Sequence, residues 1–211
     1  MKIGITQRSI EHDAYEERRD ALAQDWFRWC DRELPGATMV PVPNRLSDPV
    51  RCADTLELDA LILSGGADLG RAPERDDTEL CLLERFVMGR RPVLGVCRGF
   101  QVINHHHGGR TSPIAGHVGV DHAVTLLGFA AKVAATATIR VNSFHANAIQ
   151  TGGLAPDLEP LALAPDGSVE AAAHLELPVV GIQWHPERPH PGAGDTARIV
   201  KQFFANTLGS A

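Results

Sequence analysis

Short apolar runs alternate with helix-like segments through the first half of the chain, and this alternation restricts the possible folds more than any other feature. The predicted strands cover residues 2–6, 37–42, 59–64 and 92–96. The predicted helices cover residues 14–34, 76–88 and 98–107. Because strands separated by helices form parallel sheets with helices on both faces, we predict an α/β fold with a central, mostly parallel sheet flanked by helices.

The second half of the chain has a different pattern, in which short strands are separated by turns. The strand candidates are residues 118–126, 133–142, 159–164, 168–174 and 178–184, and a closing helix follows at about 195–208. Turn sequences such as PDG at 165–167 favour additional antiparallel strands. The sequence contains no repeat and no linker-like segment, so a single domain over residues 1–211 is predicted.

Composition limits the class of function. The chain has 20 lysine and arginine residues against 26 aspartate and glutamate residues, and the net charge of −6 disfavours binding to nucleic acid or to an anionic membrane. No apolar run approaches the roughly 20 residues that a membrane span needs, and a cytoplasmic location is expected. The four cysteines have no paired CxxC spacing, which argues against a zinc knot or a disulfide scaffold.

Most of the conspicuous apolar residues are predicted to belong to the core. In the predicted helix at 14–34 they recur near helical spacing, at Tyr15, Leu22, Trp26, Trp29 and Cys30. Cys52 and Cys81 also fall in predicted helical segments, and we interpret them as small core residues.

The stretch PVLGVCRGFQ, residues 92–101, ends a buried strand at a single cysteine. Cys97 would lie at the turn into the following helix, between Gly95 and Gly99. A nucleophile elbow needs small residues at these positions because it brings neighbouring backbone segments close together. The helix N-terminus also favours negative charge and therefore a thiolate. Cys97 is thus a candidate nucleophile, with a buried cysteine in a glycine-rich turn as the alternative.

A nucleophilic cysteine needs a base and a group that orients the base. His185 follows the apolar run VVGIQW, and Glu187 stands two residues later. Since residues i and i+2 of an extended segment face the same way, the imidazole and the carboxylate would lie side by side. Glu187 could then hold one ring nitrogen while the other faces Cys97. A surface His-Pro-Glu loop is the alternative interpretation.

The remaining histidines are not predicted to bind a metal ion. Three of them are consecutive in a predicted helix and therefore point in different directions, namely His105, His106 and His107. His117 and His122 lie near turns or strands with no obvious carboxylate at ligand spacing, which favours a surface or structural role. We expect no metal and no other cofactor.

Several motifs together resemble the class I glutamine amidotransferase superfamily, in particular its gamma-glutamyl-gamma-aminobutyrate hydrolase-like branch, peptidase family C26. The similar stretches include LSGGADL, GVCRGFQ, VNSFHANAI, PDGSVEA and QWHPE, and the resemblance runs from about residue 2 to residue 205. It implies a flavodoxin-like fold and a catalytic triad of Cys97, His185 and Glu187. It also implies a hydrolase that cleaves a gamma-glutamyl amide C–N bond through a glutamyl-thioester and releases glutamate.

The resemblance assigns further roles around the triad. Backbone N–H groups of Gly65, Gly66 and Arg98 would form an oxyanion hole. Gln101 and the backbone at Ser143, Phe144 and His145 would hold the α-amino and α-carboxylate ends of the glutamyl group. The chain departs from the family at 143–147, which read SFHAN where relatives often read SxHHQ. This departure concerns mainly the side of the pocket that receives the leaving group.

A narrower resemblance concerns that leaving group. The stretches TQR, DALAQDWFRW and VPN are similar to a subgroup associated with bacterial surface-polysaccharide gene clusters, whose substrate can be a gamma-glutamyl-CDP-amidate. A nucleotide phosphate needs a local cationic patch in a chain of net charge −6. Arg8, Arg71 and Arg98 are predicted near the strand ends where the site would open, and Arg8 and Arg71 are predicted to contact the anion. Surface pairing of these arginines with acidic residues is the alternative.

Other functions stay open at this point. The leaving group could be an amine rather than a phosphoramidate, as in the hydrolysis of gamma-glutamyl-gamma-aminobutyrate or of another polyamine-derived gamma-glutamyl amide. A glutaminase subunit that supplies ammonia to a separate synthetase is a second alternative, and a noncatalytic binding module is a third. The expected partner is a small-molecule gamma-glutamyl amide rather than nucleic acid or membrane, and a homodimer is compatible with the sequence.

Overall fold

A computed structural model of the chain describes residues 1–12, 14, 16–44 and 46–208. The strands are β1 (Lys2–Thr6), β2 (Arg8–Glu11), β3 (Arg18–Ala21), β4 (Thr38–Val42), β5 (Ala60–Leu63), β6 (Val93–Val96), β7 (Ser112–Pro113), β8 (Val118–Leu126), β9 (Thr138–Phe144), β10 (Asn147–Gln150), β11 (Leu158–Leu163), β12 (Ser168–His174) and β13 (Val179–Ile182). The helices are α1 (Asp25–Glu33), α2 (Pro49–Thr55), α3 (Pro73–Met88), α4 (Arg98–His106), α5 (Gly128–Val133) and α6 (Ala193–Leu208), with a short 3-10 helix at Thr151–Gly153. Within the described residues, none of these helices has the length and apolar character that crossing a membrane requires.

Five parallel strands form the central part of the sheet, in the order β4-β1-β5-β6-β13. If these five strands alone are numbered 1 to 5 in the order in which they occur along the chain, their order across the sheet is 2-1-3-4-5. This is the flavodoxin-like strand order. Most of their residues are buried and apolar, as in VLGV of β6, because a strand that is covered on both faces has no exposed side. The predicted α/β fold with a mostly parallel central sheet is confirmed.

Antiparallel strands extend the sheet beyond β13, in the order β12-β11-β8-β9, and β10 pairs with β12 and β7. The strands predicted at 118–126 and 168–174 coincide with β8 and β12. The strand predicted at 178–184 is β13, which joins the parallel part of the sheet through β6. The prediction at 133–142 is wrong over its first part, since α5 ends at Val133 and β9 begins only at Thr138.

Apolar side chains fill the space between the sheet and the helices on both of its faces. On one face, α1 and α6 contribute residues such as Trp29 and Phe203. On the other face, α3 and α4 contribute residues such as Phe86 and Phe100. Each large apolar side chain that leaves water stabilises the fold by roughly 1.5–3 kcal/mol. The central strands are therefore held from both sides, which fixes the loops that follow them.

The prediction of one helix over residues 14–34 is wrong in its first half. β2 and β3 form an antiparallel hairpin in which Ile10 pairs with Arg19. The run EERRD at 16–20 has no apolar side chain to bury, so a helix there would gain nothing from packing, whereas hairpin pairing satisfies backbone groups. Helix α1 begins only at Asp25, where the apolar spacing becomes regular.

Burial agrees with part of the predicted core. Trp26, Trp29 and Cys30 are buried, and Leu22 packs against the same core. Tyr15 lies outside the described residues. Cys52 is half-buried, but Cys81 is exposed on the outer face of α3, so its assignment to the core is wrong. All four cysteines are free thiols.

Candidate active site

Three neighbouring parallel strands bring the predicted functional residues to one edge of the sheet. The chain leaves β5 into the loop that holds Gly65 and Gly66, leaves β6 into Cys97, and leaves β13 into the segment that carries His185. Parallel strands all end at the same edge, and ligands of such sheets bind there. Residues that are far apart in sequence therefore meet beside Cys97.

Cys97 lies on a sharp turn between β6 and α4. Its backbone has a φ of 54° and a ψ of −108°, a conformation that costs a non-glycine residue about 1–3 kcal/mol. A Cβ atom on Gly95 would lie 2.6 Å from the carbonyl oxygen of Gly99, and one on Gly99 would overlap the carbonyl group of Leu63. Both flanking glycines are thus required by packing, as predicted for a nucleophile elbow.

His185 lies between Cys97 and Glu187. Nδ1 of His185 is 2.7 Å from Oε1 of Glu187. An ionised carboxylate only accepts, so Nδ1 carries the proton and the other ring nitrogen, Nε2, is left to interact with Cys97, which is one of the groups that raise the pKa of the imidazole. The three residues are only 6%, 5% and 7% exposed for Cys97, His185 and Glu187 respectively. The structure brings together the three side chains predicted as a triad.

The surroundings of His185 raise the pKa of its imidazole to about 9. Burial has the largest effect and acts to lower this pKa, because burial disfavours the charged ring. The hydrogen bonds to Cys97 and Glu187, together with the negative charges of these two groups, outweigh burial. The imidazolium form is therefore favoured at neutral pH beside Cys97.

Asn142 fixes the backbone of His185. Its Nδ2 donates to the carbonyl oxygen of His185 at 2.9 Å, and its Oδ1 accepts from the N–H of His185 at 2.8 Å. Asn142 lies on β9 and is only 2% exposed. This residue was not predicted from the sequence, although it stands directly before Ser143 in the family-like motif. Asn142 thus connects β9 to the segment after β13 that carries His185.

A buried cluster of charged side chains lies behind the elbow. Asp76 and Glu79 of α3 form ion pairs with the guanidinium group of Arg98, and Glu79 also pairs with Arg75 at 2.9 Å. Arg75 donates to the carbonyl oxygens of Ser64 at 2.8 Å and of Gly65 at 3.2 Å. We call Arg75, Asp76, Glu79 and Arg98 the charged cluster. It connects α3 to the loop after β5 and to the first turn of α4.

The structure corrects the expectation that Arg98 contributes to a cationic patch for phosphate. Its side chain is 1% exposed and is neutralised by Asp76 and Glu79. The backbone N–H of Arg98 is at the first position of α4, where helices leave N–H groups without an intrahelical acceptor.

Gly65 packs closely against the imidazole of His185, since a Cβ atom on Gly65 would lie 2.7 Å from Cε1 of His185.

Two clefts meet at Cys97. The larger has a volume of about 470 Å³, and Arg71, Gln101 and His145 are among the residues that line it. The smaller has a volume of about 280 Å³ and is lined in part by Arg8, His185 and Arg188. Cys97 and Phe144 border both clefts. A substrate whose reacting bond lies at Cys97 could therefore place one end in each cleft.

The two arginines predicted to share an anionic group border different clefts. Arg8 lies at the smaller cleft and Arg71 at the larger. Arg188, which was not predicted from the sequence, joins Arg8. Its guanidinium carbon is 4.5 Å from the centre of the Phe144 ring, and its Nε is 3.6 Å from Oε1 of Glu187. Its position directly after the His-Pro-Glu motif was the only signal for it in the sequence.

The predicted glutamyl-binding residues line or support the larger cleft. Gln101 donates through Nε2 to the carbonyl oxygen of Asn147 at 2.9 Å, which leaves its Oε1 as an acceptor. The hydroxyl of Ser143 and the N–H of His145 both donate to the carbonyl oxygen of His117, at 2.7 and 3.1 Å. Phe144 is 44% exposed. The Ser143 hydroxyl and the His145 N–H are thus engaged within the protein, and Gln101 and Phe144 face the cleft.

Three histidines surround a buried carboxylate next to this cleft, in an arrangement that was not predicted from the sequence. Oε1 of Glu170 lies 3.6 Å from Nδ1 of His117 and 3.7 Å from Nε2 of His145, and its Oε2 lies 3.6 Å from Nε2 of His122. We call these four residues the histidine cluster. The sequence showed no carboxylate at ligand spacing from His117 and His122, but the fold places Glu170 beside both of them. Glu170 comes from β12, so local spacing along the chain gave no sign of it.

Comparison with known proteins identifies relatives over nearly the whole chain. The sequence model of the family described as Peptidase C26 matches residues 2–187. The gamma-glutamyl-CDP-amidate hydrolase of Campylobacter jejuni is 36% identical over 212 residues, covering 97% of this chain and 98% of that protein. The glutamine-hydrolysing GMP synthase subunit of Methanospirillum hungatei is 34% identical over 156 residues, covering 71% and 73%. A solved structure of a glutamine amidotransferase from Thermotoga maritima has the same fold, with a TM-score of 0.71 at 13% identity over 98% of this chain and 97% of that one.

Proposed function

The chain belongs to the peptidase C26 family and is a glutamine-amidotransferase-type hydrolase, and from this premise we propose that it hydrolyses gamma-glutamyl amides with Cys97 as the nucleophile. The observation that carries the proposal is the position of His185, which contacts both Cys97 and Glu187 at the point where two clefts meet. A nucleophile, a base and an orienting carboxylate in this order form the arrangement that acyl transfer needs.

The first half of the reaction transfers the glutamyl group to the enzyme. His185 holds the proton of the Cys97 thiol, and the sulfur attacks the γ-carbonyl carbon of the substrate. The N–H groups of Gly65, Gly66 and Arg98 stabilise the oxyanion that forms. His185 then donates its proton to the amide nitrogen, the C–N bond breaks, and the amine or phosphoramidate leaves. Cys97 is left as a gamma-glutamyl thioester.

The second half of the reaction releases glutamate. His185, now neutral, accepts a proton from a water molecule, which attacks the thioester carbonyl carbon. The C–S bond breaks, glutamate leaves, and the proton returns to the Cys97–His185 pair. Glu187 keeps the proton of the neutral ring on Nδ1 and stabilises the charge of the imidazolium throughout.

The two clefts receive the two ends of the substrate. We assign the glutamyl group to the larger cleft, where Gln101 offers an amide oxygen to the α-ammonium group and Arg71 a cation to the α-carboxylate. The leaving group then occupies the smaller cleft, because His185 borders that cleft and must reach the departing nitrogen. Phe144 separates the two sides.

The charges of the smaller cleft favour an anionic leaving group. Arg8 and Arg188 both line it, and among the described carboxylates none forms an ion pair with Arg8. Guanidinium groups suit phosphate oxygens, which they can bind in a bidentate manner. A gamma-glutamyl amide of a nucleotide phosphoramidate, as in the name of the Campylobacter jejuni relative, is therefore the substrate we propose. The alternatives are the amide of gamma-aminobutyrate, whose leaving group carries a carboxylate rather than a phosphate, and the amides of polyamines, whose leaving groups are cationic.

Glutamate release from a panel of substrates tests the function. The panel contains gamma-glutamyl-CDP-amidate, gamma-glutamyl-gamma-aminobutyrate, gamma-glutamylputrescine and glutamine. We expect kcat/KM to be highest for the CDP-amidate by at least about tenfold, and the acyl-enzyme to be trapped by hydroxylamine as glutamyl hydroxamate. If none of the four amides releases glutamate above the uncatalysed rate, the proposal is wrong.

Four variants assign the roles in this assay. Cys97→Ala and His185→Ala should lower kcat by roughly 10⁴-fold or more, and Glu187→Gln by roughly 10²–10⁴-fold, because the carboxylate acts only through the imidazole. Cys81→Ala is the matched control, since this exposed thiol lies on the outer face of α3. Turnover by Cys97→Ala above a few per cent of the wild-type rate would contradict the assignment of the nucleophile.

A glutaminase subunit is the second candidate, because the GMP synthase subunit of Methanospirillum hungatei is a relative of similar identity. It predicts that glutamine is the best substrate of the panel. Preference for a substituted amide would exclude it.

A further inference from the structure

We propose that the histidine cluster is a structural binding site for a divalent transition-metal ion, with zinc as the ion that fits its ligands best. His117, His122, His145 and Glu170 each offer one ligand atom, and these atoms all lie within 4.8 Å of one another. His122 lies on β8 and Glu170 on β12, while His117 directly precedes β8 and His145 directly follows β9. One ion would tie three strands of the antiparallel part of the sheet together.

Hydrogen bonds on the outer side of the His117 and His145 rings leave the nitrogen lone pairs of these rings directed into the cluster. Nε2 of His117 lies 2.8 Å from Oδ2 of Asp166, and Nδ1 of His145 lies 3.0 Å from the carbonyl oxygen of Asn147. Both oxygens are acceptors, so these ring nitrogens carry the protons. When both rings are neutral, the opposite nitrogens, Nδ1 of His117 and Nε2 of His145, face each other as lone pairs at 3.3 Å. Two lone pairs at this distance repel unless a cation lies between them.

The hydrogen bonds from the second ring nitrogens of His117 and His145 are also of the kind that metal-bound histidines make. A histidine ligand typically donates its second N–H to a carboxylate or a backbone carbonyl, which fixes the tautomer and the ring orientation. Asp166 fills that role for His117, and the carbonyl group of Asn147 fills it for His145. Asp166 is itself held by the N–H of Ser168 at 3.0 Å.

Glu170 and His122, the other two ligands, each have a buried polar atom without a hydrogen-bond partner among the described residues. Glu170 is 0% exposed, and its Oε2 has no hydrogen-bond partner among the described residues. Nε2 of His122 is likewise buried and without a partner there. A buried carboxylate and a buried imidazole are expensive to leave unsatisfied, and together with the two lone pairs they make four electron-pair donors within 4.8 Å of one another.

The distances suit a tetrahedral ion. Zinc binds imidazole nitrogen and carboxylate oxygen at roughly 2.0–2.2 Å, so neighbouring ligand atoms of a tetrahedron lie roughly 3.3–3.6 Å apart. The separation is 3.3 Å for His117–His145, Oε1 of Glu170 lies 3.6 Å from His117 and 3.7 Å from His145, Oε2 of Glu170 lies 3.6 Å from His122, and all four ligand atoms lie within 4.8 Å of one another. Three imidazoles and one carboxylate suit zinc, and also cobalt or nickel, better than magnesium or calcium.

A second group of possible ligands is weaker in the number of its ligands, in burial and in ligand separation. It consists of His107, Asp157 and His174. It offers three ligands rather than four, its carboxylate side chain is 61% exposed, and the His107–Asp157 separation is 4.0 Å. Nδ1 of His174 already accepts from the N–H groups of Glu176 and Leu177 at 3.0 Å. This group provides a matched control.

The ion would act on the shape of the site rather than on the reacting bond. Four protein ligands complete a tetrahedron and leave no open position for substrate or water, which is typical of structural zinc. His145 also lines the larger cleft, and the carbonyl group of Asn147 receives hydrogen bonds from both His145 and Gln101. Metal binding at the histidine cluster would thus fix the wall of the cleft that carries Gln101.

Metal content tests the proposal on the full chain without an affinity tag. The protein is stripped with a chelator, exposed to zinc chloride alone, passed over a desalting column and analysed for zinc per chain. We expect one zinc ion per chain, a tetrahedral visible spectrum when cobalt(II) replaces zinc, and a rise in Tm of roughly 5–10 °C when free zinc is one hundredfold above its Kd. Glu170→Gln and His122→Gln should each lower the retained zinc at least about fivefold, whereas His174→Gln should keep it.

Each other outcome decides against the site. If the wild-type chain retains no stoichiometric zinc, the cluster is held together by protons rather than by a metal. Zinc that is lost in His174→Gln but kept in Glu170→Gln would place the ion at His107, Asp157 and His174. Circular dichroism checks that the variants fold. If the substitution of the fully buried Glu170 prevents folding, the zinc content of His122→Gln, a substitution at a half-buried position, tests the site instead.

Discussion

His185 must carry a proton when the leaving nitrogen departs, and its pKa of about 9 sets the pH at which that proton is lost. We expect kcat/KM to fall above about pH 9. Glu187 helps to raise this pKa through its hydrogen bond and its charge, so Glu187→Gln should move the alkaline limb of the profile to lower pH. Rate profiles of both proteins measure this. An alkaline limb that stays in place would show that Glu187 does not control the charge of the imidazole.

The raised pKa of the His185 imidazole also predicts how the free energy of unfolding depends on pH. The pKa of His185 is raised above its usual value of about 6.5, so the folded chain binds the proton more tightly than the unfolded chain does. Its contribution to stability is complete below about pH 6.5 and is lost as the pH rises through about 9. Urea unfolding should show wild type more stable than Glu187→Gln at pH 6, with a smaller difference at pH 9.5. A difference that grows with pH would reverse the sign and contradict the assigned shift.

The two clefts divide the arginines by function. If the smaller cleft receives a phosphate, Arg8→Ala and Arg188→Ala should each raise KM about tenfold for gamma-glutamyl-CDP-amidate and spare a neutral gamma-glutamyl amide. Arg71→Ala should raise KM for both substrates, because the larger cleft receives the glutamyl group that they share. Steady-state kinetics on the two substrates measure the difference. Equal effects of Arg8→Ala on both would remove the case for an anionic leaving group.

The triad candidates that the sequence identified are marked by residues next to them along the chain. Cys97 is marked by its flanking glycines, and His185 by the glutamate two residues later. Asn142 and Glu170 were missed because their partners come from other strands, and Arg188 was missed because nothing in the sequence shows that it borders a cleft with Arg8.

At the scale of secondary-structure elements, the charged cluster joins α3 to both the elbow and the loop after β5. Glu79 is 0% exposed, pairs with Arg75 and Arg98, and accepts a hydrogen bond from Thr6. Glu79→Gln would leave two buried guanidinium groups with too little negative charge, and removal of one partner from a buried ion pair costs about 3–5 kcal/mol. We expect Tm to fall by roughly 6–20 °C.

Thermal unfolding monitored by circular dichroism measures this effect. Glu84→Gln is the matched control because Glu84 lies on the same helix but is exposed, and surface substitutions usually change stability by no more than about 0.5 kcal/mol. If Glu79→Gln melts within 2 °C of Glu84→Gln, roughly the scatter of that control, then the charged cluster does not hold α3 to the site.

The elements that the sequence predicted well are the buried strands of the parallel sheet. β5 and β6 are continuous apolar runs, and such runs are typical of strands covered on both faces. The hairpin of β2 and β3 was missed because EERRD has neither alternation nor a turn signal. β10 was missed because only its pairing with β7 and β12 defines it.

At the scale of the whole molecule, overall charge and local charge have opposite signs. The chain carries a net charge of −6, yet Arg8, Arg71 and Arg188 lie around Cys97. The overall charge predicts no general affinity for polyanions, but a sum over the chain contains no information on where the cations lie. Only the meeting of β1, β6 and β13 in the folded chain places two of them at one cleft.

The size and charge of the smaller cleft favour a substituted gamma-glutamyl amide over glutamine as the substrate. Ammonia is about as large as a water molecule, whose share of liquid volume is about 30 Å³, whereas this cleft measures about 280 Å³ and carries two arginines. A site built to release ammonia needs neither the space nor the cations. We therefore expect the purified chain alone, with no synthetase added, to hydrolyse a substituted gamma-glutamyl amide with kcat/KM at least about tenfold above that for glutamine. Glutamate release at equal substrate concentrations measures the ratio, and a preference for glutamine would mean that the cleft is the docking side of a synthetase partner instead.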